Sequence, residues 1–440
     1  MASEFQPDFT TVTIYGYFVG PNFVRGLAEQ DNEYTVLSDT QATLTFQGGF
    51  DSSITYVQLL FGTGFSYDED TGRYSGRVDT YFAYELDAPE NAWSFSNLNV
   101  SLDTLNSNAS DPDVTFPDLL VIPLRYKYLG GEYDDVYITG SFDDIARGHA
   151  GDDTFEGLTG NDKLYGGKGA DWLLGAEGND ELYGGNGHDL IEGAADNDYA
   201  KGGKGHDVVN GGAGDDILFG NQGNDTLVGG RGNDIVRGGS GTDLVDGNGG
   251  TDELYGGAGK DVMYGGKGDD TMRGNAGNDK LYGEDGSDFM YGGRGNDLLD
   301  GADGTNQMFG QKGNDRLLGG DGTDYLNGGA GNDLLMSGID PDFLNGGRGN
   351  DTLSGNGGLA GGDKTTDNFI FEAAFGQDTI TDFEVGFDGI VFALGITEDD
   401  VTTTTQGNDV LLSVDFAGGQ SVLLEGVAGS FDPGIDILYS

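Results

Sequence analysis

Aspartate returns every ninth residue from Asp135 to Asp351, at 24 of 25 successive positions, with Asn306 the one exception. Carboxylates repeated at one spacing are candidate ligands for a hard cation, because oxygen-only donor sets suit calcium better than zinc or copper. The chain has no cysteine, and its three histidines, His149, His188 and His206, fall at variable places in the period. The candidate metal ligands are Asp153, Asp162, Asp171, Asp180, Asp189, Asp207, Asp216, Asp225, Asp234, Asp243, Asp252, Asp261, Asp270, Asp279, Asp288, Asp297, Asp315, Asp324, Asp333 and Asp351. A lone aspartate in a turn would be explained by hydrogen bonds to the local backbone. Twenty-four in phase are not.

The residues around each aspartate say what must position it. Counting the unit from Gly130, the eighth place is apolar, as at Phe155, Leu164, Leu173, Leu182 and Ile191, and the fourth is Gly except at Tyr133, Phe142, Asp196 and Asp340. A period of nine is neither helical nor a long alternating strand. Glycine at the first, second and fourth places predicts a tight turn with positive φ. The three residues after the aspartate predict a short strand whose middle side chain points inward. One such strand buries nothing alone, so the units must stack. With two strands per coil, a coil takes eighteen residues and the aspartates form two columns. Asp153, Asp171, Asp189 and Asp207 begin one, and Asp162, Asp180, Asp198 and Asp216 the other. At about 4.8 Å between coils, neighbouring carboxylates repel by roughly 3 kcal/mol per pair at an effective dielectric of about 20. A divalent cation between coils reverses that sign, with turn carbonyls completing a set of about six oxygens.

These nonapeptides resemble the RTX, or hemolysin-type, calcium-binding repeat. The resemblance implies a parallel β-roll with Ca2+ in the turns between one repeat and the next but one, held by sixth-place Asp side chains and turn carbonyls. The units GAADNDYAK from Gly193, GADGTNQMF from Gly301 and SGIDPDFLN from Ser337 have altered turns, which weakens the expectation of calcium there. The first two units, at Gly130 and Thr139, lack the fourth-place glycine and are expected to cap the roll. The segment GGDKTTDNFIFEAAFGQDTITDFEVGFDGIVF, from Gly361, is similar to the one that follows RTX arrays in proteins exported by the type I secretion apparatus. Asp378, Ile380, Asp382, Phe383, Gly386, Asp388 and Ile390 carry that similarity. It implies an uncleaved C-terminal export signal, in keeping with an N-terminus that has no basic and apolar leader. The implied location is extracellular, for a Gram-negative bacterium.

The expected fold is all-β. An N-terminal antiparallel β domain covers 1–129, the RTX nonapeptide β-roll 130–354, and a C-terminal β cap with the type I secretion segment 355–440. The chain carries 76 acidic and 21 basic residues, a formal net charge of -55. Such a surface repels nucleic acid and anionic lipid and attracts cations. No run of about 18 apolar residues exists, so no transmembrane helix is expected. In a cytosol poor in calcium the array should stay expanded through self-repulsion, and millimolar calcium outside should neutralise it and drive folding.

Before the array, stretches such as TTVTIYGYFV, ATLTFQGGF and ITYVQLLFGTGF read as strands of an antiparallel domain, expected to be a sandwich. Asp68, Glu69 and Asp70, followed by Thr71-Gly72, read as a solvated hairpin turn. There is no H-E-x-x-H, no G-x-S-x-G, and no histidine in either flank, so neither a zinc protease nor a lipase triad is available. The reading is a secreted calcium-binding protein of structural or binding type, such as an adhesin, surface-layer or extracellular-matrix component. The alternative is an extracellular polysaccharide-active enzyme with carboxylate catalysis in 1–129. A second feature is the ninth place of one column: Arg147, Tyr165, Tyr183, Lys201, Phe219, Arg237, Tyr255, Arg273, Tyr291 and Phe309. These form either an aromatic ladder that stabilises the sheet or a face for a polysaccharide or cell-surface component.

Overall fold

A computed structural model describes six strands between Leu27 and Ser101, residues 128–356 except 132, and residues 364–439 except 373, 393, 394, 416–418 and 428. The chain divides into two compact units, Met1–Glu181 and Leu182–Ser440, so the nonapeptide array contributes to both.

In the first unit, β1 (Leu27–Glu29), β2 (Asn32–Ser38), β3 (Gln41–Gln47), β4 (Thr55–Asp68), β5 (Arg73–Glu85) and β6 (Trp93–Ser101) form one antiparallel sheet in sequence order. The sandwich expected here would need a second facing sheet, and the described strands supply one sheet. Asp68 lies opposite Arg73 across the β4–β5 hairpin, where a turn is expected; Glu69 and Asp70 lie outside the described residues, as does any carboxylate arrangement for catalysis in 1–129. The same unit holds the start of the roll. Thr154–Glu156 pairs in parallel with Val136–Ile138 on one side and with Trp172–Glu177 on the other, while Ile145–Arg147 pairs with Lys163–Lys168.

The second unit is a solenoid of two parallel ladders. In one, Ile217–Gln222 is followed by Ile235–Gly241 and Glu253–Gly259, each residue paired with the one eighteen further on. In the other, Thr226–Arg231 is followed by Leu244–Gly249 and Val262–Lys267 in the same register. The eighteen-residue coil is therefore as the spacing requires. Most strands are longer than expected: six residues instead of three, running from the seventh place of one unit through the third place of the next. The first-to-third places extend the ladder, and the turn is confined to the fourth and fifth.

Eighth-place side chains fill the interior. Leu218, Leu227, Val236, Val245, Leu254 and Met263 have no exposed surface, and burial of each contributes roughly 1.5–3 kcal/mol. Beyond Thr352–Ser354 the stacking goes on out of phase: Asn368–Phe371 joins one ladder and Gln377–Ile380 the other. Phe371, Phe375 and Phe392 pack together there, with ring centroids 5.0 Å apart between the first two. An antiparallel hairpin, Val401–Gln406 with Asp409–Val414, leads to Gln420–Leu424, which pairs with Gln377–Ile380. Among the described residues no helix is long and apolar enough to cross a membrane.

Candidate metal centre

Each sixth-place aspartate sits at the end of a turn, immediately before a strand, and its side chain points inward. Asp207, Asp216, Asp225, Asp234, Asp243, Asp252, Asp261, Asp270, Asp279 and Asp288 are all at most 2% exposed. The two carboxylate oxygens have different surroundings. Oδ1 accepts a hydrogen bond from the amide of the aspartate one coil earlier, as Asp234 Oδ1 does from Asp216 at 2.8 Å and Asp243 Oδ1 from Asp225 at 2.9 Å. Oδ2 of the same residues is buried and has no hydrogen-bond partner. Orphaned buried oxygens are rare in proteins, and here they recur coil after coil.

First-place glycine explains where Oδ2 goes, and it corrects the expected role of that glycine. Its φ is not in the left-handed region; space is what it supplies. A Cβ on Gly265 would lie 2.5 Å from Asp270 Oδ2 and 2.8 Å from the carbonyl oxygen of Gly283, one coil on. At Gly274 the neighbours are Asp279 Oδ2 at 2.6 Å and the Gly292 carbonyl at 2.7 Å, and at Gly328 they are Asp333 Oδ2 at 2.5 Å and the Gly346 carbonyl at 2.7 Å. A carboxylate oxygen and a carbonyl oxygen thus converge on a point that only glycine leaves open. The positive φ expected for the turn belongs to the second and fourth places, as at Gly266 (+106°) and Gly268 (+115°). The altered turn at Gly193 keeps this backbone, with Ala194 and Asp196 themselves at positive φ.

Two oxygens facing each other without a proton between them repel. Burial, opposed by the amide hydrogen bond and reinforced by neighbouring carboxylates, pushes Asp216, Asp261, Asp297 and Asp333 up to about 7 and Asp324 up to about 8. In the first unit the same causes raise Asp153 to about 7 and Asp162 to about 8. The arrangement asks for positive charge. Among the described residues no three acidic or histidine side chains converge, so a cation here would be held by carboxylates together with backbone carbonyls. That donor set is all oxygen and fits calcium.

Several units depart from the pattern in ways that bear on occupancy. Asn306 accepts from the Asp288 amide through Oδ1 at 3.0 Å, but turns its Nδ2 into the cradle beside Gly301, where it has no acceptor. Thr139 and Ser337 replace the first-place glycine, and each hydroxyl donates to the carbonyl one coil on, Gly157 and Gly355 respectively, the latter at 2.9 Å. A hydroxyl there occupies the opening. In the first two units of the array the second oxygen is closed by backbone instead: Gly131 donates to Asp135 Oδ2 at 2.9 Å and Gly140 to Asp144 Oδ2 at 3.0 Å. That agrees with a capping role for the first two units.

Fifth-place side chains build a second, outer ladder of opposite sense. Asn197 Oδ1 accepts from the Asp215 amide, and Asp215 Oδ1 from the Asn233 amide. His188 and His206 belong to it: their rings stack at 5.1 Å, and each Nδ1 accepts a backbone N–H at 2.8 Å. Along the ninth-place column, aromatic rings and cations interleave. Phe219 lies between Lys201 and Arg237, Tyr255 between Arg237 and Arg273, and Tyr291 between Arg273 and Phe309, at 4.9–5.5 Å. Arg147 covers Tyr165 at 4.6 Å, and Tyr183 leans on Tyr199 at 5.9 Å. Neighbours above and below cover the faces of Phe219, Tyr255 and Tyr291, which a sugar would otherwise stack upon.

Fold and site together define a parallel β-solenoid with paired oxygen sites stacked along its turns. The family profile for the RTX calcium-binding nonapeptide repeat (4 copies) matches in overlapping segments from 129 to 358, over half of the chain. The chain belongs to that family, and its repeats bind calcium ions in many copies. No curated protein matches. Among solved structures, the extracellular lipase LipA from Serratia marcescens is 20% identical, with a TM-score of 0.22, over 52% of this chain and 40% of that one. The AlgE6R3 subunit of the Azotobacter vinelandii mannuronan C5-epimerase is 22% identical, with a TM-score of 0.13, over 44% of this chain and 78% of that one. The chain thus spans less than half the length of the lipase.

Proposed function

We propose that this is a secreted calcium-binding protein of structural or adhesive type, which folds when calcium fills the two aspartate columns after export. The carrying observation is the row of buried Oδ2 atoms without hydrogen-bond partners, which at Asp216, Asp270, Asp279 and Asp333 lie beside a carbonyl in an opening kept by glycine. The ligands are the sixth-place aspartates that keep both a first-place glycine and an Oδ2 not closed by backbone, with turn carbonyls completing each shell. At neutral pH the calcium-free roll would have to bury unpaired carboxylates, which is costly, so metal binding becomes folding free energy. A net charge of -55 favours an expanded chain where calcium is scarce, a state suited to passage through the type I apparatus, and the C-terminal segment resembles that apparatus's export signal.

The test is a calcium titration of the full chain, followed by circular dichroism and by small-angle scattering, with attachment to cell-surface polysaccharide measured in parallel. Cooperative gain of β structure and compaction, with attachment only in calcium, is expected. Compact β structure in excess chelator at neutral pH would refute the coupling. Turnover of a polysaccharide by residues 1–129 would favour the enzymatic alternative.

A further inference from the structure

Charge is sorted between the two edges of the second unit's solenoid. Each coil has two turns, one where the chain leaves each sheet, so the turns lie on opposite edges. Third-place residues end the strands just before them. On one edge Asp285, Asp303 and Asp321, all exposed, follow one another coil by coil in the ladder. On the other, exposed Arg294 and Lys312 are neighbours, and exposed Arg348 stands two coils beyond Lys312.

The sorting is complete over these coils. From Asn275 to Asn350 the second to fifth places of the basic edge hold no carboxylate, and its fifth place is asparagine throughout. From Glu284 to Pro341 the same places of the other edge hold no lysine or arginine. In a chain with 76 acidic and 21 basic residues, an edge free of carboxylate is unexpected. Among the described residues, none of these six side chains makes an ion pair or hydrogen bond within the chain. Like charges on adjacent strands, about 4.8 Å apart, repel one another. Each row therefore costs its own copy some stability, and neither belongs to the buried aspartate columns.

We propose that these edges are the two halves of one interface, the acidic row of one copy of this chain docking on the basic row of a second copy. The occupant follows from charge complementarity: rows of opposite sign stand on the same solenoid and share one coil repeat, so Arg294 and Lys312 meet two successive aspartates in register. Contact between two different edges is heterologous and leaves one edge free at each end, so copies add side by side into an open chain. The inference rests on calcium filling the aspartate columns, because calcium-free copies would repel through a net charge of -55 each.

The test is sedimentation velocity of the full chain in calcium at low and at high salt, with circular dichroism to check the fold. Association at low salt, lost at high salt, is expected. R294E/K312E/R348E reverses the basic row and D285K/D303K/D321K the acidic one. Each variant alone should fold in calcium and stay monomeric, and an equimolar mixture of the two should associate again. The neutral variant R294Q/K312Q should also stay monomeric, and it replaces a reversed chain that fails to fold. A parent that folds in calcium but is monomeric at low salt would overturn the interface alone. So would variants that associate by themselves, or a mixture that does not. A parent that stays unfolded in calcium would overturn the calcium reading and the interface with it.

Discussion

The amide of Asp216 donates to Oδ1 of Asp234, one coil on, at 2.8 Å, while Asp234 Oδ2 is left buried without a partner. One half of each carboxylate thus serves the stack and the other half is held for something outside the protein. The division explains why aspartate is required. Asparagine can supply the first contact, as Asn306 does, but brings no second oxygen.

A proton can substitute for the cation. The folded, calcium-free aspartates are raised from 3.8 to between about 6 and 8, by burial first. Groups raised on folding favour the fold below their unfolded value and lose that contribution as pH rises through the folded one. Chelated protein should therefore gain β structure on acidification from about pH 8 to about pH 4.5, and calcium affinity should fall over the same range. Circular dichroism in chelator at both pH values checks this, and equal disorder at both would contradict it.

The first-place glycine can be tested by giving it the hydroxyl that Thr139 and Ser337 carry. In G265S the new group would reach toward the Gly283 carbonyl and fill the opening beside Asp270 Oδ2. The variant should bind fewer calcium ions. Its calcium-free fold should be less stable by about 1–3 kcal/mol, because the added Cβ would lie 2.5 Å from Asp270 Oδ2 and 2.8 Å from the Gly283 carbonyl and the coil must shift to admit it. Ion counting and unfolding in chelator measure the two losses, and an unchanged ion count would contradict the role given to the glycine.

How far the sequence reached can be seen at three places. The coil length and both columns followed from Asp153, Asp162 and their successors, because a nine-residue period leaves few ways to bury the eighth residue. The role of Gly265 did not follow: a glycine needed for φ and a glycine needed for space look alike until the neighbouring coil is in place. Asp367 accepts from the Asp342 amide at 3.0 Å, Asp388 from the Asp367 amide at 3.1 Å and Asp378 from the Asp351 amide at 2.9 Å, so all three extend the columns; inserted segments break the period and hide them, although Gly376-Gln377-Asp378-Thr379-Ile380 repeats the G-x-D-x-apolar order locally. Such contacts depend on which strand lies beside which, and spacing alone does not specify that.

Asn306 marks a gap that one atom should close. Its Nδ2 is buried with no acceptor beside Gly301 and faces the Gly319 carbonyl opening. N306D restores the oxygen and the charge. It should bind at least one more calcium ion than the parent, and its thermal midpoint should rise in calcium and fall in chelator, since an added buried charge without a cation is costly. A midpoint that fell in both would contradict the proposed geometry.

The ninth-place column separates packing from recognition. Arg273 lies 5.4 Å from the Tyr255 ring and 5.2 Å from the Tyr291 ring, so R273A removes two cation–π contacts at once. At an exposed sheet each is worth roughly 0.5–1 kcal/mol, and unfolding in saturating calcium should register a loss of about 1–2 kcal/mol. Removing the guanidinium also uncovers one face of each ring. If the column exists to hold the coils together, polysaccharide binding is unchanged in R273A and in Y255S/Y291S while stability falls in both. If it is a binding face, Y255S/Y291S loses binding and R273A, with its rings newly open, does not. A glycan-binding assay beside the unfolding measurement distinguishes the two, and the covered ring faces favour the first outcome.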